Sequence, residues 1–182
     1  MQTLFLKRKC ISMESLYDVA YDENEEEAAE ITNSASQSKL DPYIRSTIVK
    51  PLHPNHYPDV SKGLLSLIPT WISRHDNITS VADDYYIGEL SYLRYGTGDH
   101  FARHQDAGIN GTSGRIFSTS TIISMTEDLK GGDFYIWDNV NGSHSIDLEP
   151  GDTLFFDSRT LHEITTVLSG TREVLVAWIY KR

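Results

Sequence analysis

Short β-prone segments separated by turn residues fill the second half of the chain, and this pattern constrains the fold more than any other feature. Most of the breaks hold glycine, some with proline or asparagine beside it, which supply the positive or fixed φ angle that a turn needs. Seven short strands with regular turns are typical of a β-sandwich or barrel. The predicted strands cover residues 86–95, 116–125, 133–137, 143–148, 153–156, 161–168 and 173–180.

The N-terminal part of the chain has a different pattern of apolar and polar residues. Residues 59–75 carry apolar side chains at helical spacing, and Pro69 is expected to bend or split that helix. Residues 1–40 contain an acidic run and then a polar stretch, which favours a solvated, flexible arm. The sequence therefore predicts one mainly β domain of the α+β class over residues 41–182. Its core is expected to start at about residue 85, with helices from the N-terminal third packed against it.

Charge and cysteine content narrow the choice of partners and compartment. Sixteen Lys and Arg against 26 Asp and Glu give a net charge of -10, which repels phosphate backbones and disfavours nucleic acid as a partner. No apolar run approaches the roughly 18 residues that would cross a membrane. Cys10 is the single cysteine, so an intrachain disulfide and a multi-cysteine metal site are both excluded. We expect a reducing, cytoplasmic setting, while nothing in the composition indicates an oligomeric state.

The residues that carry chemistry begin with a His-x-Asp pattern, His104-Gln105-Asp106. In an extended chain, residues two apart point to the same face, so the imidazole and the carboxylate project into one space. His162 follows at the start of a late predicted strand. Two histidines and one carboxylate form the facial set that holds non-haem Fe(II) and leaves three positions open.

Arg172 lies ten residues beyond His162 and adds a carboxylate-binding group. Its planar guanidinium can bind a carboxylate through two parallel hydrogen bonds. A cosubstrate that chelates iron at one end needs such a partner for the carboxylate at its other end. If residues 169–171 form a three-residue hairpin loop with Gly170 in the left-handed region, Leu168 faces Arg172 and His162 faces Trp178. The chemistry predicts this loop, because a two-residue turn would put His162 and Arg172 on opposite faces.

Taken together, these residues let the last hundred or so positions be compared with a known protein family. From about Tyr86 onward the chain resembles the prolyl 4-hydroxylase-like branch of the 2-oxoglutarate/Fe(II) oxygenases. The matching segments are Arg94-Tyr95-Gly96-Thr97-Gly98-Asp99-His100-Phe101-Ala102-Arg103-His104-Gln105-Asp106, Leu129-Lys130-Gly131-Gly132-Asp133-Phe134 and Pro150-Gly151-Asp152-Thr153-Leu154-Phe155-Phe156, with His162 and Arg172.

The resemblance implies a double-stranded β-helix (jelly roll) with iron at one open end, held by His104, Asp106 and His162. It implies 2-oxoglutarate as cosubstrate, with its distal carboxylate on Arg172, and ascorbate as reductant. Tyr95 matches a tyrosine that lines the cosubstrate pocket, and Trp178 matches an aromatic residue near the substrate.

The resemblance is incomplete at a second contact to the distal carboxylate. Where the family often has a tyrosine for this contact, the chain has Ser124, whose shorter side chain could still donate a hydrogen bond. Thr121 and Tyr135 are the other candidates for the contact. On the substrate side we consider Arg103 and Tyr135 beside Trp178.

Several functions remain open at this point. A prolyl residue in a peptide or protein is the substrate that the resemblance favours, and a free amino acid or other small molecule is the alternative. The glycine-rich segment 107–115 is expected to form a mobile rim that decides between them. A nucleic-acid demethylase typically carries its arginine further beyond the second histidine. A non-catalytic jelly-roll binding module would have no reason to keep all three metal ligands and Arg172.

Overall fold

A computed structural model describes residues 5–21, 27–28, 31–32, 38–39, 41–74, 82–108, 112–138 and 142–182. Much of the acidic and polar stretch assigned to a flexible arm lies outside these residues, as does the middle of the glycine-rich segment 107–115. Within the described ranges, no helix has the length and apolar character needed to span a membrane.

Three α-helices precede the long strands: α1 (Met13–Ala20), α2 (Pro58–Leu65) and α3 (Leu67–Ile72). Ser12 caps α1 by accepting a hydrogen bond from the backbone of Ser15, as short polar residues do at helix N-termini. The predicted helix over residues 59–75 is indeed split, but at Ser66 rather than at Pro69. Pro69 lies in the first turn of α3, where a missing N–H leaves no hydrogen bond unmade.

Among the strands of the described residues, three have 10 or 11 residues and the others have five or fewer. Their bounds are β1 (Phe5–Arg8), β2 (Glu27–Ala28), β3 (Ile31–Thr32), β4 (Ser38–Lys39), β5 (Arg45–Ser46), β6 (Ile48–Leu52), β7 (Tyr85–Tyr95), β8 (His100–His104), β9 (Arg115–Met125), β10 (Lys130–Gly131), β11 (Phe134–Asp138), β12 (Gly142–Ile146), β13 (Thr153–Asp157), β14 (Leu161–Ile164), β15 (Val167–Ser169) and β16 (Arg172–Lys181).

Two antiparallel sheets carry the fold. The larger has the order β1-β13-β9-β16-β7-β6-β2 and the smaller has the order β12-β11-β14-β8-β5, with short pairs β10-β15 and β3-β4 beside them. The non-consecutive order in both sheets is that of a double-stranded β-helix, as the resemblance implied. β1 and α1 belong to this fold rather than to an arm, because Leu6, Leu16 and Val19 are buried in the core.

Each face of the larger sheet covers a different core. Along β16, Leu175, Ala177 and Ile179 pack towards the helices. Val174 and Val176, on the alternate positions, pack into the space between the two sheets. The period-two alternation of a strand therefore divides β16 between an outer core and an inner cavity.

The hairpin predicted to join His162 to Trp178 is wrong. β14 belongs to the smaller sheet, where it pairs with β11 and β8, and β16 belongs to the larger sheet, where it pairs with β7 and β9. The chain crosses between the sheets at residues 165–171, and Gly170 takes the expected left-handed conformation with φ +76°. His162 and Trp178 still share the inner cavity, but they reach it from opposite sheets.

Candidate active site

The three predicted metal ligands converge at one end of the space between the sheets. His104 ends β8 and His162 lies in β14, and antiparallel register places them directly opposite each other. Asp106 follows two residues after His104, with its carboxylate oxygens 3.4 Å from His104 Nε2 and 3.7 Å from His162 Nε2. The three ligand atoms, one from each residue, all lie within 4.8 Å of one another, which suits a single small cation.

Backbone hydrogen bonds orient both histidines for metal binding. Nδ1 of His104 lies 2.8 Å from the carbonyl oxygen of Ala102, and Nδ1 of His162 lies 2.9 Å from that of Thr160. A neutral imidazole that donates from Nδ1 to a carbonyl keeps its lone pair on Nε2. Both Nε2 atoms face Asp106, so the donor set fits a divalent metal held by two imidazoles and a carboxylate.

The charge states of these groups also fit a metal centre. Burial lowers the pKa of His162 to about 4, which keeps its imidazole neutral near pH 7. Burial alone would raise the pKa of Asp106, but His162 and His104 outweigh it and hold the pKa of that carboxyl well below its usual range. A neutral imidazole at His162 beside an ionised carboxylate at Asp106 is what metal ligation needs.

Arg172 is a buried cation that the described protein groups do not neutralise. Its side chain is 2% exposed, and Nη1 donates to the carbonyl oxygen of Gly132 at 2.7 Å. Burial lowers its pKa to about 10, yet it remains charged near pH 7. Among the described residues, none of the carboxylates forms an ion pair with it. A buried guanidinium without a counter-charge is costly, so this position suits an anionic ligand.

A largely apolar cavity runs from the metal ligands into the space between the sheets. Tyr95 and Trp178 both line it. Tyr95 is the cross-strand partner of Arg172, and burial raises the pKa of its hydroxyl. The remaining wall is mainly aliphatic and aromatic, with Leu93, Phe134, Phe156, Ile164, Val174 and Val176.

Trp178 is fixed in place by a charged pair beside the metal ligands. The guanidinium of Arg115 lies 3.9 Å from the centre of the Trp178 ring, and Arg115 binds Glu89 through Nε at 3.0 Å and Nη2 at 2.5 Å. Nη1 of Arg115 also donates to the carbonyl oxygen of Asp106 at 3.3 Å. The same guanidinium therefore supports the indole and the backbone of a metal ligand.

The structure does not bring Ser124 or Thr121 to the cavity. Ser124 donates to a carboxylate oxygen of Glu173 at 2.6 Å on the outer side of the larger sheet. A β-bulge causes this, because Ser124 pairs with Glu173 but Ile122 pairs with Val174, which leaves one extra residue in β9. Thr121 faces the outer side as well, where its hydroxyl lies 2.9 Å from that of Thr153. The predicted cosubstrate contacts of Ser124 and Thr121 are therefore wrong.

Tyr135 and Arg103 also point away from the cavity. Tyr135 lies between Phe134 and Ile136, which both pack in the inner core, so its own side chain lies on the outer face of the smaller sheet. Arg103 is exposed, and its guanidinium lies 4.6 Å from the centre of the Trp137 ring. Neither residue lines the cavity that starts at the metal ligands.

Two residues in the site were missed. Arg45 lines the cavity from β5, with its guanidinium 4.6 Å from the centre of the Phe101 ring, but it precedes the recognisable part of the chain. Ser120 lines the cavity from the inner side of β9. Its position two residues before Ile122, which packs in the inner core, is a period-two signal that the sequence does contain.

Comparison with known proteins agrees with this geometry. The family model of the 2OG-Fe(II) oxygenase superfamily matches residues 90–180, which is half of the chain. A PKHD-type hydroxylase of Hyphomonas neptunium is 28% identical over 131 residues, covering 69% of this chain and 57% of the relative. The chain spans about half the length of the curated relatives it matches.

Solved structures share the fold at low sequence identity. A prolyl-4-hydroxylase of Pseudomonas putida superposes with a TM-score of 0.69 at 16% identity, covering 100% of this chain and 94% of that protein. A prolyl hydroxylase of Trichoplax adhaerens, solved with a hypoxia inducible factor peptide fragment, superposes with a TM-score of 0.65 at 16% identity, covering 97% and 83%.

Proposed function

Because the chain belongs to the 2-oxoglutarate/Fe(II) oxygenase superfamily, we propose that it is a dioxygenase that hydroxylates an unactivated C–H bond of a prolyl residue in a peptide or protein. One observation carries the proposal. The ligand atoms of His104, Asp106 and His162 lie within 4.8 Å of one another. The cavity that starts there is lined by Tyr95, and the cross-strand partner of Tyr95 is Arg172, a buried arginine that the described carboxylates leave without an ion pair.

His104, Asp106 and His162 would hold Fe(II), and Arg172 would bind the distal carboxylate of 2-oxoglutarate. When bound, these groups supply the oxidising power for R–H + O2 + 2-oxoglutarate → R–OH + succinate + CO2. Three protein ligands on one face leave room for the cosubstrate and dioxygen.

The rest of the chain contributes orientation and exclusion of water. Tyr95, Phe134 and Val174 line the cavity as apolar wall, which strengthens the charged hydrogen bonds of Arg172 to a bound carboxylate. At the other end, Trp178 held by Arg115 forms a rigid indole surface next to Asp106. A flat, rigid aromatic surface suits the ring of a prolyl residue.

A peptide or protein substrate is supported by the relatives rather than by the metal site itself. The Trichoplax protein is a prolyl hydroxylase that binds a peptide fragment, and the fold is shared. With a net charge of -10, this chain would accept a basic or neutral peptide more readily than an acidic one.

Succinate formation by protein reconstituted with Fe(II) tests the proposal. Turnover should need 2-oxoglutarate and oxygen, increase with a proline-rich peptide library, and disappear in His162→Ala. His56→Ala is the matched control, because His56 is exposed on the surface and does not line the cavity. Stimulation by free amino acids but not by peptides would establish the small-molecule alternative. Absence of both metal binding and succinate would leave a non-catalytic binding module.

A further inference from the structure

A charged cluster beside Trp178 contains one carboxylate that the proposed reaction does not require. Trp178 pairs with Glu89 across β16 and β7, and Tyr180 pairs with Arg115 across β16 and β9. Trp178 and Tyr180 are two residues apart in one strand, so they share a face of the larger sheet. The hydroxyl of Tyr180 donates to Glu89, which brings the carboxylate, the guanidinium and the phenol together next to the indole.

Glu89 occupies the carboxylate-binding fork of Arg115. Nε of Arg115 lies 3.0 Å from Oε1 of Glu89, and Nη2 lies 2.5 Å from Oε2. Two such hydrogen bonds, one to each oxygen, are the arrangement by which an arginine binds the carboxylate of a ligand. The third nitrogen, Nη1, donates to the carbonyl oxygen of Asp106 at 3.3 Å. Each nitrogen of this guanidinium therefore already has an acceptor from the chain itself.

The cluster lies where the cavity meets solvent. The side chain of Glu89 is 40% exposed and that of Arg115 is 14% exposed. Trp178, on which Arg115 stacks, lines the cavity together with the metal ligands. A substrate that packs on the indole while it reaches the metal would therefore lie close to Glu89.

We propose that Glu89 is a specificity-determining residue that excludes acidic substrates from the surface beside Trp178. The inference rests on the proposed function and assigns its charge preference to one side chain. Without Glu89, the fork of Arg115 would be open to a carboxylate of the substrate. With Glu89 in the fork, an acidic side chain beside the reacting prolyl residue meets a negative charge and finds no open partner. Discrimination of this kind depends on a repulsive group as much as on attractive ones.

Two proline-rich peptides, with either Glu or Gln directly beside the prolyl residue, test this with the Fe(II)-loaded protein. The wild type should prefer the Gln peptide, measured as the ratio of kcat/KM for succinate formation. Glu89→Gln keeps the shape but not the charge, so the preference should fall about 10-fold, an effect limited by solvent screening of a partly exposed charge. Glu89→Asp keeps the charge and should retain the preference.

Glu127→Gln is the matched control for this series. It removes the same unit of charge from an exposed glutamate between β9 and β10 that does not line the cavity. Its peptide preference should equal that of the wild type. This comparison separates a local effect of Glu89 from the net charge of the whole chain.

A second measurement needs neither metal nor turnover. Fluorotryptophan incorporated at the three tryptophans gives three fluorine NMR resonances, and Trp178→Phe identifies the one from Trp178. Acetate is the carboxylate probe. It should shift the Trp178 resonance in Glu89→Gln and not in the wild type, because the guanidinium that would bind acetate lies 3.9 Å from the centre of the Trp178 ring.

The two measurements have separate failures. A peptide preference in Glu89→Gln equal to that of the wild type would overturn the specificity role, and so would a Trp178 resonance that acetate does not move in this variant. Absence of succinate from the wild type with either peptide would overturn the proposed function, while the acetate titration would still decide whether Glu89 closes the fork of Arg115.

Discussion

His104 and His162 are direct cross-strand partners, and the centroids of their imidazole rings lie 4.2 Å apart. A phenylalanine also stacks on each imidazole ring. The ring centres of Phe101 and His104 lie 3.5 Å apart, and those of Phe134 and His162 lie 5.3 Å apart. Both histidines are thus fixed by strand pairing and by aromatic stacking before any metal binds. Such preorganisation lowers the cost of assembling a metal site.

Removal of His162 should abolish metal-dependent turnover while leaving the fold intact. The His162→Ala protein keeps two ligands, so its affinity for Fe(II) or Co(II) should fall well below that of the wild type. Metal titration followed by absorption, together with succinate formation, measures both effects. His56→Ala should match the wild type in each assay. Full metal affinity in His162→Ala would remove His162 from the ligand set.

Arg172 should determine affinity for the cosubstrate and not for the metal. Loss of a buried charge-assisted contact costs about 2–5 kcal/mol, so Arg172→Met should raise the KM for 2-oxoglutarate at least about 30-fold. Arg172→Lys keeps the charge but loses the planar fork, and should lie between the two.

The control for this series is Arg8→Met, because Arg8 is an exposed arginine on the edge strand β1. Steady-state kinetics with varied 2-oxoglutarate give the KM values, and Co(II) titration should show unchanged metal binding in all variants. An unchanged KM in Arg172→Met would mean that another cation binds the distal carboxylate.

The metal-free protein should lose stability as the pH falls from about 6.5 to about 4. Burial lowers the pKa of His162 to about 4, so in this range the unfolded chain binds a proton that the folded chain does not. Above the range both states are neutral and the effect vanishes. At its lower end the free energy of unfolding is reduced by up to about 3 kcal/mol.

Urea unfolding in the presence of a chelator, near pH 7 and near pH 5, measures this dependence. His162→Gln cannot take up the proton and should show a smaller difference between the two conditions. The same pH dependence in both proteins would assign the effect to another group.

Gly88 leaves space for the ring of Tyr180, and a side chain there should be destabilising. A Cβ at Gly88 would lie 2.5 Å from the Tyr180 ring, so Gly88→Ala must displace a side chain that bonds to Glu89. Overpacking of this kind costs about 1–3 kcal/mol. At Gly96 the nearest atom would be 3.8 Å away, so Gly96→Ala should be close to neutral. Urea unfolding of the two variants compares them directly, and equal stability would contradict this packing.

The convergence of the three candidate ligands and many strands of the second half of the chain were within reach of sequence reasoning because they depend on local rules. His-x-Asp in an extended segment shares a face by the period of a strand, and turn residues mark where strands end. The bulge at Ile123 was not within reach, since it depends on how β9 pairs with β16. That single extra residue turns Ser124 away from the cavity.

The hairpin prediction failed for a related reason. Residues 161–168 read as one strand that turns back onto the next, but β14 ends at Ile164 and the chain then crosses to the other sheet. Sheet membership is a non-local property, and the residues of this crossover do not specify it. Similarly, β1 and α1 precede an acidic stretch, and only their buried contacts show that they belong to the domain.

The division of β16 between two environments makes the length of this strand more critical than its composition. Conservative replacement of Val174 or Leu175 alters one core at a time, and each core can adjust to a change in volume. Insertion or deletion of one residue between Arg172 and Trp178 would instead exchange the two faces, turning either the guanidinium or the indole towards the helices. This segment should therefore accept many substitutions and almost no change in residue number.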